Sequence, residues 1–237
     1  MQIKKHIPNI ITLLNLFCGC IAIIFITHKD FQTAFFFVSL GIFLDFFDGF
    51  FARLFKVSSP LGLQLDSLAD MVTSGVVPGF VMYMMLADFD IETTNLYAYL
   101  GFLITLGACF RLANFNIDTR QTDSFIGLPT PANALFILSL PLILQNENYF
   151  IISQLLHSTW FLLIVVVLSS YIMNAEIPLF SLKIKKFTIQ DNLLQIVFLA
   201  LSILILLFLQ FLGVAIVIMM YVLLSVIQNI FFKKQLL

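Results

Sequence analysis

Charge is scarce in this chain. Only 11% of its 237 residues are Asp, Glu, Lys or Arg, and 12 basic against 13 acidic side chains leave a net charge of −1. Such a chain lacks the cationic surface that phosphate backbones require, so no nucleic acid partner is expected. Histidine is rarer still, and His6, His28 and His157 share no ligand-like spacing. The three cysteines, Cys18, Cys20 and Cys109, are an odd set inside apolar runs. They exclude a disulfide framework. Cys-Gly-Cys with no histidine nearby is not a zinc spacing either, which leaves buried, inert thiols. The sequence also lacks internal repeats, low-complexity tracts and any separate soluble domain.

Hydrocarbon is what the chain has instead. Apolar residues make up 61% of it, and the mean hydropathy is +1.05. These values exclude a soluble domain and predict an all-α integral membrane protein. Eight apolar segments can be marked, over 9–28, 31–53, 62–87, 94–114, 129–146, 153–173, 191–210 and 212–232. Pro129, Pro131 and Asn133 interrupt the start of the fifth. The last two are broken only by Gln210 and Gly213. About 40 apolar residues in one helix exceed any bilayer, so a tight turn is required there. The opening Met1-Gln2-Ile3-Lys4-Lys5-His6 resembles the basic start of a signal peptide. The apolar stretch behind it is too long, and no small-residue cleavage site follows, so a retained first span is expected.

The few basic residues are not scattered. Lys4 and Lys5 precede the first span, Arg53 and Lys56 follow the second, and Arg111 and Arg120 end or follow the fourth. Lys183, Lys185 and Lys186 follow the sixth, and Lys233 and Lys234 the eighth. The intervening connections, 28–30, 88–92 and 145–149, are poor in Lys and Arg. By the positive-inside rule this alternation predicts a bundle of about eight transmembrane helices with both termini cytoplasmic.

The acidic residues converge on one place. Asp45-Phe46-Phe47-Asp48-Gly49-Phe50-Phe51-Ala52-Arg53 is followed, after eight residues, by Gly62-Leu63-Gln64-Leu65-Asp66-Ser67-Leu68-Ala69-Asp70. Asp45, Asp48, Gly49, Ala52 and Arg53 form one stripe of a helix, and Gly62, Asp66 and Asp70 one face of the next. If these helices are antiparallel neighbours joined by Lys56-Val57-Ser58-Ser59-Pro60, all four carboxylates meet. Four like charges in an apolar setting need compensation, and hard divalent cations held by oxygen supply it. Ionisable residues inside membrane segments are functional by default. Gly49, Ala52 and Gly62 either let a nucleotide approach the backbone or serve close helix packing. Arg53 pairs either with a phosphate or with an aspartate.

The full pattern, D-x2-D-G-x2-A-R-x8-G-x3-D-x3-D, resembles the signature of the CDP-alcohol phosphatidyltransferases, with every fixed position filled. The resemblance implies displacement of CMP from a CDP-linked lipid by an alcohol. It implies one or two Mg²⁺ or Mn²⁺ ions on Asp45, Asp48, Asp66 and Asp70, with Asp70 as general base. Gly49, Ala52, Arg53 and Gly62 would then contact nucleotide and pyrophosphate. It also implies a homodimer in the inner (cytoplasmic) membrane among membrane lipids, its site facing the cytoplasm.

Further stretches are similar to the branch of that family that takes L-serine and CDP-diacylglycerol. These are 7–19, Leu65-Asp66-Ser67-Leu68-Ala69-Asp70, Phe110-Arg111-Leu112-Ala113-Asn114-Phe115-Asn116, 125–131, and 171–186. The likeness assigns 1–187 to one six-span domain, with 188–237 as two additional helices of the same bundle. Two departures fall near the expected alcohol pocket: Ser74-Gly75 replaces a common Phe-Gly pair, and Asn114 a frequent second arginine. Arg111 is the expected partner of the serine carboxylate, snorkelling being its plain alternative role, and Asn116 is a second candidate. Asn9, Thr12 and Asn15 share a stripe of the first span, where they either line the nucleotide pocket or bond between helices. Other small alcohols, glycerol phosphate or inositol phosphate, fit the same chemistry, though a phosphorylated acceptor calls for more basic residues than this end offers. A divalent-cation transporter also places carboxylates in membrane helices. Here, however, they gather towards one membrane face, with no repeat-related pair of broken helices at mid-depth.

Overall fold

A computed structural model of the chain describes residues 3–57, 59–90, 95–118, 125–180 and 192–232. Arg120, Lys183, Lys185, Lys186, Lys233 and Lys234 therefore lie outside the described residues. Among those described, all regular elements are helical, and the one extended pairing is an isolated antiparallel bridge between Ile126 and Pro178. The helices are α1 (Ile3–Thr27), α2 (Phe31–Phe55), α3 (Pro60–Asp70), α4 (Val77–Leu86), α5 (Leu103–Ile117), α6 (Thr130–Leu144), α7 (Phe150–Leu156), α8 (Thr159–Asn174) and α9 (Leu193–Phe232). A single π-helical turn, Met71–Val76, joins α3 to α4 without a break, and a 3₁₀ stretch, Leu96–Phe102, leads into α5.

Five of these helical units are long and apolar enough to cross a membrane. The number is six when Thr130–Leu144 and Glu147–Leu156, bent by 97°, count as one broken span. The departures from the expected eight lie in the fifth and sixth segments and in the last two, which form one helical unit, Leu193–Phe232. The fifth begins only at Thr130, past Pro129, and has 15 residues. The sixth is split: α7 ends at Leu156, and α8 restarts at Thr159 after an extended Ser158.

The expected tight turn near the end is present. Gln210, at φ 46° and ψ −117°, breaks the helical path inside α9. Phe198 and Tyr221 stand 23 positions apart, which is about 35 Å along a straight helix. Their ring centroids are 5.7 Å apart. A Cβ on Gly213 would approach the Ile205 carbonyl oxygen to 2.8 Å. The helix thus folds back on itself as a hairpin.

Local chemistry sets the helix ends that matter for the site. Lys56 adopts a left-handed conformation (φ 54°), and its N–H closes on the Ala52 and Arg53 carbonyls, ending α2. Ser59 then caps α3, its Oγ accepting from Gly62 N–H at 3.0 Å, with Pro60 in the first turn. Asp30 caps α2 in the same way, accepting from Thr33 N–H at 3.0 Å. These short turns run α2 antiparallel to both α1 and α3, and α3 packs along α1.

The long unit Pro60–Leu86 is the axis of the bundle, with 67% of its most apolar stretch buried. Around it the outer helices carry a sheath of exposed Phe, Leu and Ile, as lipid contact requires. The connections poor in basic residues gather at one end: Phe31 packs edge-on to Phe89 at 5.5 Å. Asp88, Asn95, Leu144 and His157 line one cavity of about 510 Å³ there. The start of α1, the α2–α3 turn and the ends of α5 and α8 lie at the other end.

Candidate active site

The α2–α3 turn carries out the convergence that the spacing implied. One carboxylate oxygen each from Asp45, Asp48 and Asp66 lies within 4.8 Å of the other two. Asp48 is buried, and Asp45 Oδ1 is buried without a hydrogen-bond partner. Among the described residues the side-chain hydrogen-bond partners of the four carboxylates outside the cluster are Thr12 and Asn15, and none of the four is in a salt bridge with Lys or Arg. An orphaned carboxylate oxygen inside an all-oxygen donor cluster, uncompensated by the protein, fits a hard divalent cation.

Two polar residues of α1 hold the cluster from behind. The Thr12 hydroxyl lies 2.5 Å from Asp48 Oδ2 and 3.0 Å from the Pro8 carbonyl. Asn15, fully buried, donates from Nδ2 to Asp70 Oδ1 at 3.1 Å. Of the two roles left open for this stripe, bonding between helices is the one seen, and its partners are the motif aspartates. Asp70 thus lies beside Asp45 at the edge of the three-oxygen cluster, with its Oδ1 held by α1.

The π turn follows Asp70 immediately. Its Thr73 hydroxyl donates to the Asn15 carbonyl at 3.1 Å, and Thr105 donates to the Gly75 carbonyl at 2.9 Å. A Cβ on Gly41 would come 2.8 Å from Asn15 Oδ1, so α1 and α2 meet there with no room for a side chain. Ser74 is buried, and its Oγ has no partner. Thr73 and the widened turn were not foreseen. The signal was the polar triplet Thr73-Ser74-Gly75 inside an apolar run directly after the last aspartate.

The remaining expected site residues divide. Gly49 follows Asp48, and a Cβ there would meet nothing within 4 Å, so open space lies beside the cluster. Ala52 is half-buried and Arg53 exposed. Gly62 sits in the cap of α3, where a Cβ would come 3.2 Å from Ser59 Oγ and 3.3 Å from Asn9 Oδ1. Asn116 reaches α3, donating to Ser67 Oγ at 2.8 Å, one residue from Asp66.

Arg111 does not join it. Five residues away on the helix, it points about 140° around the axis from Asn116. It is buried, and its Nη1 donates to the carbonyls of Ile126 at 3.0 Å and Met173 at 3.1 Å. It thereby borders a cavity of about 360 Å³ also lined by Asn114, Asp118, Asn174 and Glu176.

Fold and site together define an all-helical membrane protein with an oxygen-donor centre at one end of its bundle. The chain belongs to the CDP-alcohol phosphatidyltransferase family, whose sequence model matches residues 5–171, and it is an enzyme of that family. It is 38% identical over 133 residues to a Bacillus subtilis protein named CDP-diacylglycerol–serine O-phosphatidyltransferase, covering 54% of this chain and 70% of that one. A Helicobacter pylori protein of the same name is 35% identical over 146 residues, covering 61% of this chain and 60% of its own length. A Saccharomyces cerevisiae protein of that name is 35% identical over 156 residues, covering 59% and 55% respectively. The matches thus span 55% to 70% of the length of these relatives. All of α9 lies beyond the family match.

Proposed function

We propose that this enzyme transfers the phosphatidyl group of CDP-diacylglycerol to L-serine, giving phosphatidylserine and CMP. The observation that carries the reading is the cluster itself: three carboxylate oxygens within 4.8 Å of one another, with a fourth carboxylate, Asp70, beside Asp45 and held by Asn15. Four carboxylates, one of them oriented by an amide, suit a centre needing both cation ligands and a proton acceptor. The names of the relatives supply the alcohol.

Asp45, Asp48, Asp66 and Asp70 would hold one or two Mg²⁺ or Mn²⁺ ions, which when bound neutralise the pyrophosphate and the departing CMP. The serine hydroxyl oxygen attacks the lipid-side phosphorus, and the bond from that phosphorus to the CMP phosphate oxygen breaks. The hydroxyl proton goes to Asp70. Asn15 occupies Asp70 Oδ1 and so leaves Oδ2 as acceptor, which makes positioning the main contribution of this base. Thr12 fixes Asp48. The open space beside Gly49 admits the nucleotide to the backbone, next to Ala52 and Gly62, and Arg53, exposed at the end of α2, faces a phosphate. Asn116, tied to Ser67, and Arg111 would serve the serine, Arg111 taking its carboxylate.

The same reading gives the chain eight membrane crossings. Residues 1–187 would form the six-span catalytic domain, and 188–237 two further crossings in the arms of the α9 hairpin. Both termini and the site would face the cytoplasm at the inner membrane, and the protein would be a homodimer. The gathering of the base-poor connections at the end opposite the site supports that topology. The deciding experiment is CMP release by the purified protein from CDP-diacylglycerol with a panel of alcohols. Divalent-metal-dependent release, strongest with L-serine, is expected. No release with any alcohol would overturn the assignment, and preference for glycerol phosphate or inositol phosphate would move the acceptor.

A further inference from the structure

The second arm of α9 carries a polar ladder that the family match does not reach. Tyr221, Ser225 and Asn229, four residues apart, lie on one stripe of that arm. All three bond to the main chain of the short segment behind α8. The Tyr221 hydroxyl donates to the Phe180 carbonyl at 3.0 Å, and Asn229 Nδ2 to the Pro178 carbonyl at 2.5 Å. Ser225 Oγ accepts from Phe180 N–H at 3.2 Å and donates to the Tyr221 carbonyl at 2.8 Å. The Phe180 ring is enclosed by Tyr221 at 4.8 Å and Phe198 at 5.4 Å, so both arms grip it.

The gripped segment is one half of a clip. Leu179 N–H donates to the Phe125 carbonyl at 2.8 Å, and Gly127 N–H to the Ile177 carbonyl at 2.9 Å. Gly127 has φ 73° and lies so close to the Met173 carbonyl that no side chain fits. Arg111 closes the clip from the other side, through the Ile126 and Met173 carbonyls. Ile126, Met173, Asn174, Ala175 and Glu176 then form a wall of the Arg111 cavity. Hydrogen bonds joined by adjacent main-chain residues, Phe180 to Leu179 and Phe125 to Ile126, therefore link the last helix to the guanidinium.

We propose that the α9 hairpin is a latch: Tyr221, Ser225 and Asn229 are positioning residues that hold the clip, and through it the wall of the acceptor cavity. This rests on the reading of the Arg111 cavity as the serine subsite. The latch explains why a membrane enzyme carries an extra hairpin whose polar atoms face a main-chain segment rather than lipid. Backbone groups of an irregular segment at a membrane boundary need protein partners, and the ladder provides them.

Two readouts on the full-length purified enzyme test it separately. In a background with Cys18, Cys20 and Cys109 replaced, Leu179→Cys, at a buried position, reports opening of the clip by maleimide labelling. Tyr221→Phe, Ser225→Ala and Asn229→Ala together should raise its labelling rate on the order of tenfold, the loss of two or three ordinary hydrogen bonds. The apparent KM for serine should rise roughly 3- to 10-fold with the KM for CDP-diacylglycerol unchanged. Ser225→Thr on its own, which keeps the hydroxyl, should leave both at the values of the unmodified enzyme, whereas Ser225→Ala should move both in part. If the triple variant fails to fold, Tyr221→Phe alone keeps the ring packing and removes one bond. Unchanged labelling overturns the latch. Faster labelling with an unchanged serine KM overturns its link to the acceptor. Absence of serine turnover by the unmodified enzyme would instead sink the proposed function, while the labelling still decides the latch.

Discussion

Asn15 and Asp70 are 55 positions apart, and the Asn15 amide donates to Asp70 Oδ1 at 3.1 Å from a fully buried position. The Asn15 main-chain carbonyl also takes the Thr73 hydroxyl. One residue of α1 therefore pins the point where α3 widens into the π turn, at the fourth aspartate and three residues beyond it. π turns recur at functional sites because the extra residue redirects the side chains around it. Here the turn lets Thr73 face α1 immediately after Asp70.

The first prediction follows from that pair. Asn15→Leu keeps the volume but removes the donor to Asp70. A hydrogen bond to a charged group contributes about 1.5–3 kcal/mol, so kcat should fall roughly 10- to 100-fold. The KM for CDP-diacylglycerol should move little, since the three clustered aspartates are untouched. Steady-state CMP release measures both, and an unaltered kcat would remove Asn15 from the catalytic geometry.

The second concerns the cation. Asp48→Ala or Asp66→Ala should abolish transfer, and EDTA should do the same to the unmodified enzyme until Mg²⁺ or Mn²⁺ is restored. Thr12→Val should need more metal for half-maximal activity, because Asp48 loses the hydroxyl that orients it. Full activity after exhaustive chelation would refute the metal role.

The third uses the emptiness beside Gly49. A methyl group there meets no protein atom, so Gly49→Ala should leave the thermal midpoint unchanged or raise it. Alanine gains about 0.5–1 kcal/mol over glycine within a helix. Substrate is what the methyl would meet, so the KM for CDP-diacylglycerol should rise several-fold. A destabilised protein with normal kinetics would make Gly49 a packing residue after all.

How much of this was legible in the sequence depended on range. The four aspartates could be placed because their spacing and one short turn fix them locally, and Lys56, Ser59 and Pro60 are the residues such a turn needs. The Gln210 turn was legible because a 40-residue apolar helix has no bilayer to fit. Thr12 and Asn15 were visible as a stripe, but their partners lie 36 and 55 positions away, beyond any helical period. The main-chain partners of Arg111 were out of sight for the same reason. Nothing local says that a guanidinium at the end of α5 will meet carbonyls at Ile126 and Met173. The break between α7 and α8 was hidden because hydropathy hardly changes across His157 and Ser158.

The fourth prediction is topological. Position 56 should be labelled from the cytoplasmic side, and positions 90 and 147 from the other, in a background without native thiols. Basic connections alternate with poor ones along the chain, and the poor ones meet at a single end of the bundle. Labelling of 56 and 90 from the same side would overturn the eight-crossing arrangement.

The last prediction concerns the acceptor and separates two jobs that Arg111 can hold. Its Nη1 is already committed to the carbonyls of Ile126 and Met173. Arg111→Ala therefore strands two acceptors as well as removing a carboxylate partner, and loss of stability alone would say nothing about serine. The substrate is the cleaner probe. Ethanolamine keeps the hydroxyl and amine of serine and lacks only the carboxylate. If Arg111 binds that carboxylate through its remaining donors, ethanolamine should be a poor substrate of the unmodified enzyme. The discrimination should be on the order of 10- to 100-fold in kcat/KM, the worth of a partly desolvated guanidinium–carboxylate pair. Arg111→Lys keeps the charge and one donor for the clip but loses the planar fork. It should raise the serine KM, leave that for CDP-diacylglycerol nearly unchanged, and narrow the gap between serine and ethanolamine. A variant that keeps the full gap while its thermal midpoint falls would assign Arg111 to the clip alone and leave the carboxylate to another residue.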